Sequence, residues 1–263
     1  MEWRRHIARY GDGWFPGEPW VRQTFVVLFL LAAALRFWNL PHLPFTHDEL
    51  SALMRIYPTL GETIQRGVIE LDTHPPGVQV FEWGWTRLFG TSEALVKLPF
   101  ILLALVALFY FYRFALAWTS AGTALVMTAL LATLQYTVLY AQIARPYAFG
   151  FFTMALLSDS LTRHLAFGTR RTLVMVGIAA VLCAYTHHFT LLLAAIMVAS
   201  VFAVVPRGQW KHYLAMCVIA VFAYAPNLPV FAKQLSLGGL GGWLPPPDAG
   251  WLPRFLGWVL PLS

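Results

Sequence analysis

Apolar residues run along this chain in long blocks with short polar breaks, and the block lengths approach what a helix needs to cross a bilayer, about 20 residues. Seven blocks read as spans: 21–40, 94–117, 121–140, 148–165, 172–186, 189–205 and 213–230. The later breaks are brief: Trp118-Thr119-Ser120, residues 142–147, residues 168–171, the His187-His188 pair and residues 206–211. Arg36 lies near the end of the first block, close enough to the surface to snorkel.

One long polar stretch, 41–93, separates the first block from the rest. It holds seven of the chain's twelve acids: Asp48, Glu49, Glu62, Glu70, Asp72, Glu82 and Glu93. Residues 48–66 alternate apolar and charged positions at helical spacing, and 76–89 (PGVQVFEWGWTRLF) is apolar on one side but too short to cross. Both are predicted to be amphipathic helices lying in the interface. The pattern predicts an all-α integral membrane bundle of about seven transmembrane helices. A tail (1–20) precedes the spanning module (21–230, including the loop 41–93), and a Gly/Pro-rich segment (231–263) follows it.

Composition removes the soluble alternative. Apolar residues make up 59% of the chain and charged residues only 11%, where soluble domains carry about 25% charged. The net charge of +6 does not point to nucleic acid, because the basic residues punctuate apolar runs and form no single polar face. Cys183 and Cys217 both fall inside apolar runs and carry no redox information. The basic start and the Ala32-Ala33-Ala34 run resemble a secretory signal, but Arg36 follows at once and the remaining chain reads as membrane, so an uncleaved first span is expected.

Charge asymmetry orients the bundle. Arg4, Arg5, Arg9, Arg22, Arg113, Arg163, Arg170, Arg171, Arg207 and Lys211 fall on one side, whereas the short connections of the other side carry only Arg145. Basic residues favour the cytoplasmic side, so the N-terminus is expected inside and the loop 41–93 outside. Asp48, His74, Arg145 and the His187-His188 pair then share the extracytoplasmic face, delivered there by four separate stretches of sequence.

Each of these stretches has a chemical and a plain reading. In Thr46-His47-Asp48-Glu49, two adjacent carboxylates beside His47 can supply a general base, or Asp48 caps a helix and Glu49 fills its first turn. In Asp72-Thr73-His74-Pro75-Pro76-Gly77, the prolines stiffen the entry to the next helix and fix the His74 imidazole, or the segment is a turn. Arg145, in Gln142-Ile143-Ala144-Arg145-Pro146-Tyr147, offers a planar fork suited to phosphate, or it anchors the interface with Tyr140 and Tyr147. His187 and His188 can hold a metal or polar ligand, or form a solvated turn. Asp159 pairs with Arg163 at i+4. No P-loop, zincin helix or nucleophile elbow is present. An Asp-x-Asp pair is also missing, which disfavours a nucleotide donor.

Taken in order, these motifs resemble the membrane glycosyltransferases of the GT-C fold, nearest the protein O-mannosyltransferase-like and lipid A aminoarabinose transferase-like branch. The likeness rests on Asp48-Glu49 after the first span, His74-Pro75-Pro76, Lys97-Leu98-Pro99, Ala144-Arg145-Pro146-Tyr147 and Tyr185-Thr186-His187-His188, and runs from about Thr24 to Val230. It implies sugar transfer, with inversion, from a polyprenyl-phosphate donor to a hydroxyl-bearing acceptor on the outer face. The base would be an acid of the first loop, Asp48 by motif match, with Glu49 open for the same role and His74 orienting. Arg145, Tyr147, His187 and His47 would contact substrate. Some members of the branch need a divalent metal and others do not. Its enzymes are generally longer, with further spans and a C-terminal domain, so a truncated or minimal seven-span core is expected here. Two other classes fit the membrane pattern: a transporter, which would place polar residues at mid-bilayer in repeated broken helices, and a non-catalytic polyprenyl-lipid-binding subunit, which would need Arg145 but not Asp48.

Overall fold

The computed structural model describes residues 15–236 and 248–259. Arg4, Arg5 and Arg9, most of the 1–20 tail, and residues 237–247 and 260–263 of the C-terminal segment lie outside these. Among the described residues all regular structure is helical. The helices are α1 (Pro19–Phe37), α2 (His47–Leu53), α3 (Pro76–Phe89), α4 (Glu93–Trp118), α5 (Ala121–Thr133), α6 (Gln135–Ala141), α7 (Pro146–Phe167), α8 (Arg170–Thr186), α9 (His188–Val201), α10 (Trp210–Tyr224), α11 (Leu228–Ser236) and α12 (Trp251–Val259).

Three helical stretches are long and apolar enough to cross a membrane: Pro19–His42, Glu93–Trp118 and Arg207–Ser236. The bent pair α5 and α6 makes a fourth if it counts as one span. The chain is therefore a helical protein with three to four candidate spans by this criterion, against the seven expected. Helices do occupy the other three blocks, but α7 carries Asp159 and Arg163, and α8 and α9 are 17 and 14 residues long.

Helix α4 is the centre of the bundle. Half of its apolar window (50%) is buried by protein, against 22% and 17% for the two other long spans. It packs on α7, α7 packs on α8, and the main core forms there from Leu156, Leu157, Leu161, Val176, Ala179 and Cys183. Peripheral helices keep large apolar side chains outward, such as Val27 and Leu30 on α1 and Ile219 and Phe222 on α10. A helix apolar on all sides is expected where one side meets protein and the other meets lipid.

Several predicted elements are corrected. The helix expected over 48–66 is two pieces: α2 ends at Leu53, and a turn at Leu60–Glu62 leads into a π-helical segment, Thr63–Glu70. Helix α3 lies where predicted, but its polar residues Gln79, Glu82 and Thr86 are buried with Val78, so its polar side faces protein. Gly77 allows this: a Cβ there would collide with the Tyr185 carbonyl, so only glycine lets α3 start against the end of α8. The boundary placed before residue 231 falls inside α11.

The span expected over 121–140 breaks at Leu134 with a 58° bend and no proline. The cause is inserted polar groups. Arg36 Nη1 donates to the Ala132 carbonyl at 2.8 Å and Nη2 to the Leu131 carbonyl at 2.9 Å. The Thr137 hydroxyl also donates to the Leu131 carbonyl, at 2.7 Å. Side chains that take over carbonyls of the helical ladder bend it. Arg36 consequently does not snorkel; it is 1% exposed. Replacing Arg36 with Leu removes the guanidinium donor of the Ala132 carbonyl, at about 1–3 kcal/mol for an unsatisfied buried group, while the Leu131 carbonyl keeps Thr137. Thermal unfolding of the detergent-purified variant should show a clear loss of stability, and an unchanged midpoint would show that the bend does not need Arg36.

Candidate functional site

Thr46 caps α2: its hydroxyl accepts from the Glu49 amide at 3.3 Å, and Glu49 Oε2 accepts from the Thr46 amide at 2.7 Å. This reciprocal capping box corrects the reading of Asp48 as the cap. It also turns the Glu49 side chain inward, where it is fully buried. There Lys97 Nζ, from the second turn of α4, donates to both carboxylate oxygens at 2.8 and 2.9 Å, and the Ala144 amide donates to Oε1 at 2.7 Å. One carboxylate thus ties together the start of α2, the start of α4 and the turn before α7. Four hydrogen bonds from three groups thus occupy the Glu49 carboxylate, which is sealed from solvent.

Asp48, the next residue outward, has 63% of its side chain exposed. It lies within electrostatic reach of Tyr140 and Tyr147, whose rings meet edge to face at 4.6 Å. His47 is almost wholly exposed and, among the described residues, makes its one close charged approach to Asp48, at 3.9 Å; it is not gathered into the site.

The second half of the site is built on Asp72. Its Oδ1 meets His74 Nδ1 at 2.7 Å and accepts from the His74 amide at 3.2 Å, while Arg55 Nη1 pairs with Oδ2 at 3.0 Å. The carboxylate therefore orients the His74 imidazole directly, in addition to the prolines that follow. Burial alone would raise the Asp72 carboxyl, but the hydrogen bond from His74 and the charges of His74, Arg55 and Arg145 hold it down to about 2. The His187 ring, in the turn between α8 and α9, lies 5.0 Å from that of His74, centroid to centroid. Burial, reinforced by the charges of His74, His188 and Arg145, pushes His187 down to about 4, so it is neutral at physiological pH. Gln234 of α11 closes the cluster: its Nε2 donates to the His74 carbonyl at 2.7 Å and the Asp72 carbonyl at 3.2 Å, and its Oε1 meets His188 Nε2 at 3.0 Å.

Arg145 and Glu82 occupy the ground between these halves. Arg145 precedes Pro146 at the start of α7, is 9% exposed, and acts electrostatically on Asp72, Glu82 and His187. Glu82, from α3, is 2% exposed. Burial pushes its carboxyl up to about 8; Arg145 opposes the rise, and Asp72 and Glu49 add to it. At neutral pH Glu82 is thus a protonated acid. Arg145 Nε and Glu82 Oε2 are both buried and make no hydrogen bond among the described residues, although buried polar atoms are normally paired.

The four sequence stretches expected to meet do meet in space, with Glu49 and Ala144 joining Asp48 to the Arg145 turn. Glu82, Arg55, Gln234 and the Lys97 ammonium are members that residue type alone did not single out. A signal existed for Glu82: Val78, Gln79, Glu82 and Thr86 repeat at helical spacing, which puts the acid on one face of α3 with an apolar residue. At the opposite end of α7, Asp159 pairs with Arg163 at 3.1 Å as expected, and also with Arg113 of α4 at 3.1 Å. Arg113 is therefore a buried partner and not a loop charge. Among the described residues no three His, Cys, Asp or Glu side chains come together as a metal-binding set. No known family model, curated protein or solved structure matches the chain.

Two measurements test this geometry. Breaking a buried ion pair on one side costs about 3–5 kcal/mol, because a lone charge remains. Glu49→Gln and Lys97→Met should each destabilise strongly and their combination by far less than the sum; additive losses would remove Glu49 from the role of tie. Glu82 predicts a pH dependence. Its raised value means that its contribution to stability is fully present below the ordinary carboxyl range, near pH 4.5, and is lost as pH rises through about 8. Wild type should therefore lose thermal stability relative to Glu82→Gln between pH 5 and pH 9. Parallel pH profiles for the two proteins would mean that Glu82 ionises normally.

Proposed function

We propose that this chain is a membrane glycosyltransferase of the GT-C type, transferring a sugar from a polyprenyl-phosphate donor to a hydroxyl-bearing acceptor with inversion. The observation that carries the reading is the placement, at one end of the bundle and both within electrostatic reach of Tyr147, of an accessible carboxylate and a buried, incompletely satisfied arginine. In this reading the helices of the seven apolar blocks all traverse the bilayer, the N-terminus is inside, and the site lies on the extracytoplasmic face.

In this reading the roles divide as follows. Asp48 is the base: it accepts the acceptor hydroxyl's proton as that oxygen attacks the anomeric carbon. The bond from that carbon to the phosphate oxygen breaks, and its electron pair leaves with the polyprenyl phosphate. Arg145 meets the charge growing on the departing phosphate, where a fixed guanidinium stabilises the transition state more than the ground state. Neutral Glu82 is a hydrogen-bond donor beside it, without the repulsion that a carboxylate would bring. His74, oriented by Asp72, and neutral His187 line the same region, and Tyr140 and Tyr147 frame the Asp48 side. Glu49 anchors the loop and does not react.

The competing reading, a subunit that binds polyprenyl lipid without chemistry, shares Arg145 but has no use for Asp48. Asp48→Asn should cut transfer by about 10²–10⁴-fold, the range for loss of a positioned base, with donor lipid still bound. Arg145→Lys keeps the charge but loses the planar fork, so it should weaken donor binding and also slow single-turnover transfer. Purified protein assayed with a panel of polyprenyl-phosphate sugars provides the measurement. Donor binding that survives Asp48→Asn with no turnover by any wild-type pairing would favour the binding subunit.

A further inference from the structure

The bundle carries a second feature at the end remote from Asp48 and Arg145. A groove of about 870 Å³ runs between α8 and α10. These helices start side by side: Gly168, in the left-handed conformation at φ 60°, lies against the Gln209 side chain, and a Cβ there would collide with it. The groove begins at those two helix N-termini and ends near Ala223, where the Tyr185 hydroxyl donates to the Ala223 carbonyl at 2.9 Å.

Its two ends differ in chemistry. The mouth is formed by His164, Thr169, Arg170, Gln209 and His212, and among the described residues no acid lines the groove. His164 is 3% exposed; its Nδ1 meets the Thr172 hydroxyl at 3.2 Å, while its Nε2 is buried without a partner. Both helix N-termini add partial positive charge at the same point. Beyond the mouth the walls are apolar, with Leu173 and Val181 on α8 and Met216 on α10; Met216 packs closely over Gly177, and the small Ala220 lines the space beyond it. From His212 to Ala223 the helix rises about 16 Å, close to the depth of one leaflet of a hydrocarbon core about 30 Å thick.

We propose that this groove is a binding site for an anionic phospholipid of the leaflet opposite the Asp48 site. The phosphate sits at the mouth against Arg170 and His212, in reach of the His164 imidazole, and one acyl chain lies along the groove between α8 and α10. The charge at the mouth selects an anionic headgroup, and the leaflet-length apolar wall selects a lipid over a free anion. The site is separate from the glycosyltransferase reading and stands or falls without it.

The test uses the full chain in neutral detergent, with phosphatidylglycerol, phosphatidylcholine or inorganic phosphate added. Lipid retention is read by native mass spectrometry and stabilisation by thermal unfolding. Phosphatidylglycerol should be retained and raise the unfolding midpoint, phosphatidylcholine should bind far more weakly, and inorganic phosphate alone should not stabilise. Arg170→Gln changes an exposed residue and should weaken phosphatidylglycerol about five-fold, the usual worth of one basic residue at an anionic membrane surface. Ala220→Phe fills the groove and should abolish retention without changing the lipid-free midpoint. Equal binding of both lipids, stabilisation by phosphate alone, or undiminished retention in Ala220→Phe would overturn the proposal. So would a dimer, dispersed by Ala220→Phe, occupying the groove.

Discussion

The buried Glu49 carboxylate is the constraint on which the outer end of this protein depends. Two charges taken out of water repay their desolvation only with excellent geometry and further hydrogen bonds. Here the Lys97 ammonium and the amides of Thr46 and Ala144 supply them. The strength of such a pair is less informative than its exclusivity. Without the loop in this register, a lysine would be stranded at the head of the central helix, so alternative placements of α2 are costly. The same bond sets Asp48 facing outward beside Tyr140 and Tyr147 and holds the Arg145 turn close by.

Around that tie the site is an arrangement of unequal carboxyls. Asp72 is surrounded by His74, Arg55 and Arg145 and remains ionised far into acid; Glu82, as deeply placed but without a hydrogen-bonded cation, holds its proton to about pH 8. Environments that drive similar groups apart are typical of sites where protons and charge are handled. Arg145 is the link: it helps to depress Asp72, opposes the rise of Glu82, and keeps part of its own hydrogen-bonding capacity unspent. This unspent capacity lies among groups of both charge signs, Asp72, Glu82 and His187.

Polar groups elsewhere in the bundle are spent on structure. Arg36 supplies donors to carbonyls at the α5–α6 bend, and Asp159 holds Arg113 and Arg163 between α4 and α7. A charged residue in an apolar run is therefore not by itself a functional signal; Arg36 also keeps a buried, unpartnered Nε, but at a helix bend, whereas Arg145 and Glu82 keep unsatisfied atoms within one cluster of ionisable groups.

Much was determined by the amino-acid sequence alone. Helix positions and the membrane class are legible because apolar period and block length are local properties, and α3 begins and ends where its pattern predicts. Pro76 at its start and Gly90 after its end are local punctuation of the same kind. The candidate stretches around Asp48, His74, Arg145 and His187 could also be read, since polar residues at the ends of apolar blocks are conspicuous. Tertiary structure decided the rest. Which of two adjacent acids turns inward depends on a lysine 48 residues away in the chain. Whether Arg36 reaches the surface or bends α5–α6 depends on carbonyls some 95 residues downstream. The protonation of Glu82 depends on what buries α3. Each is a matter of burial and of partners distant in sequence, and the free energy of a charge is set by those surroundings rather than by its neighbours along the chain.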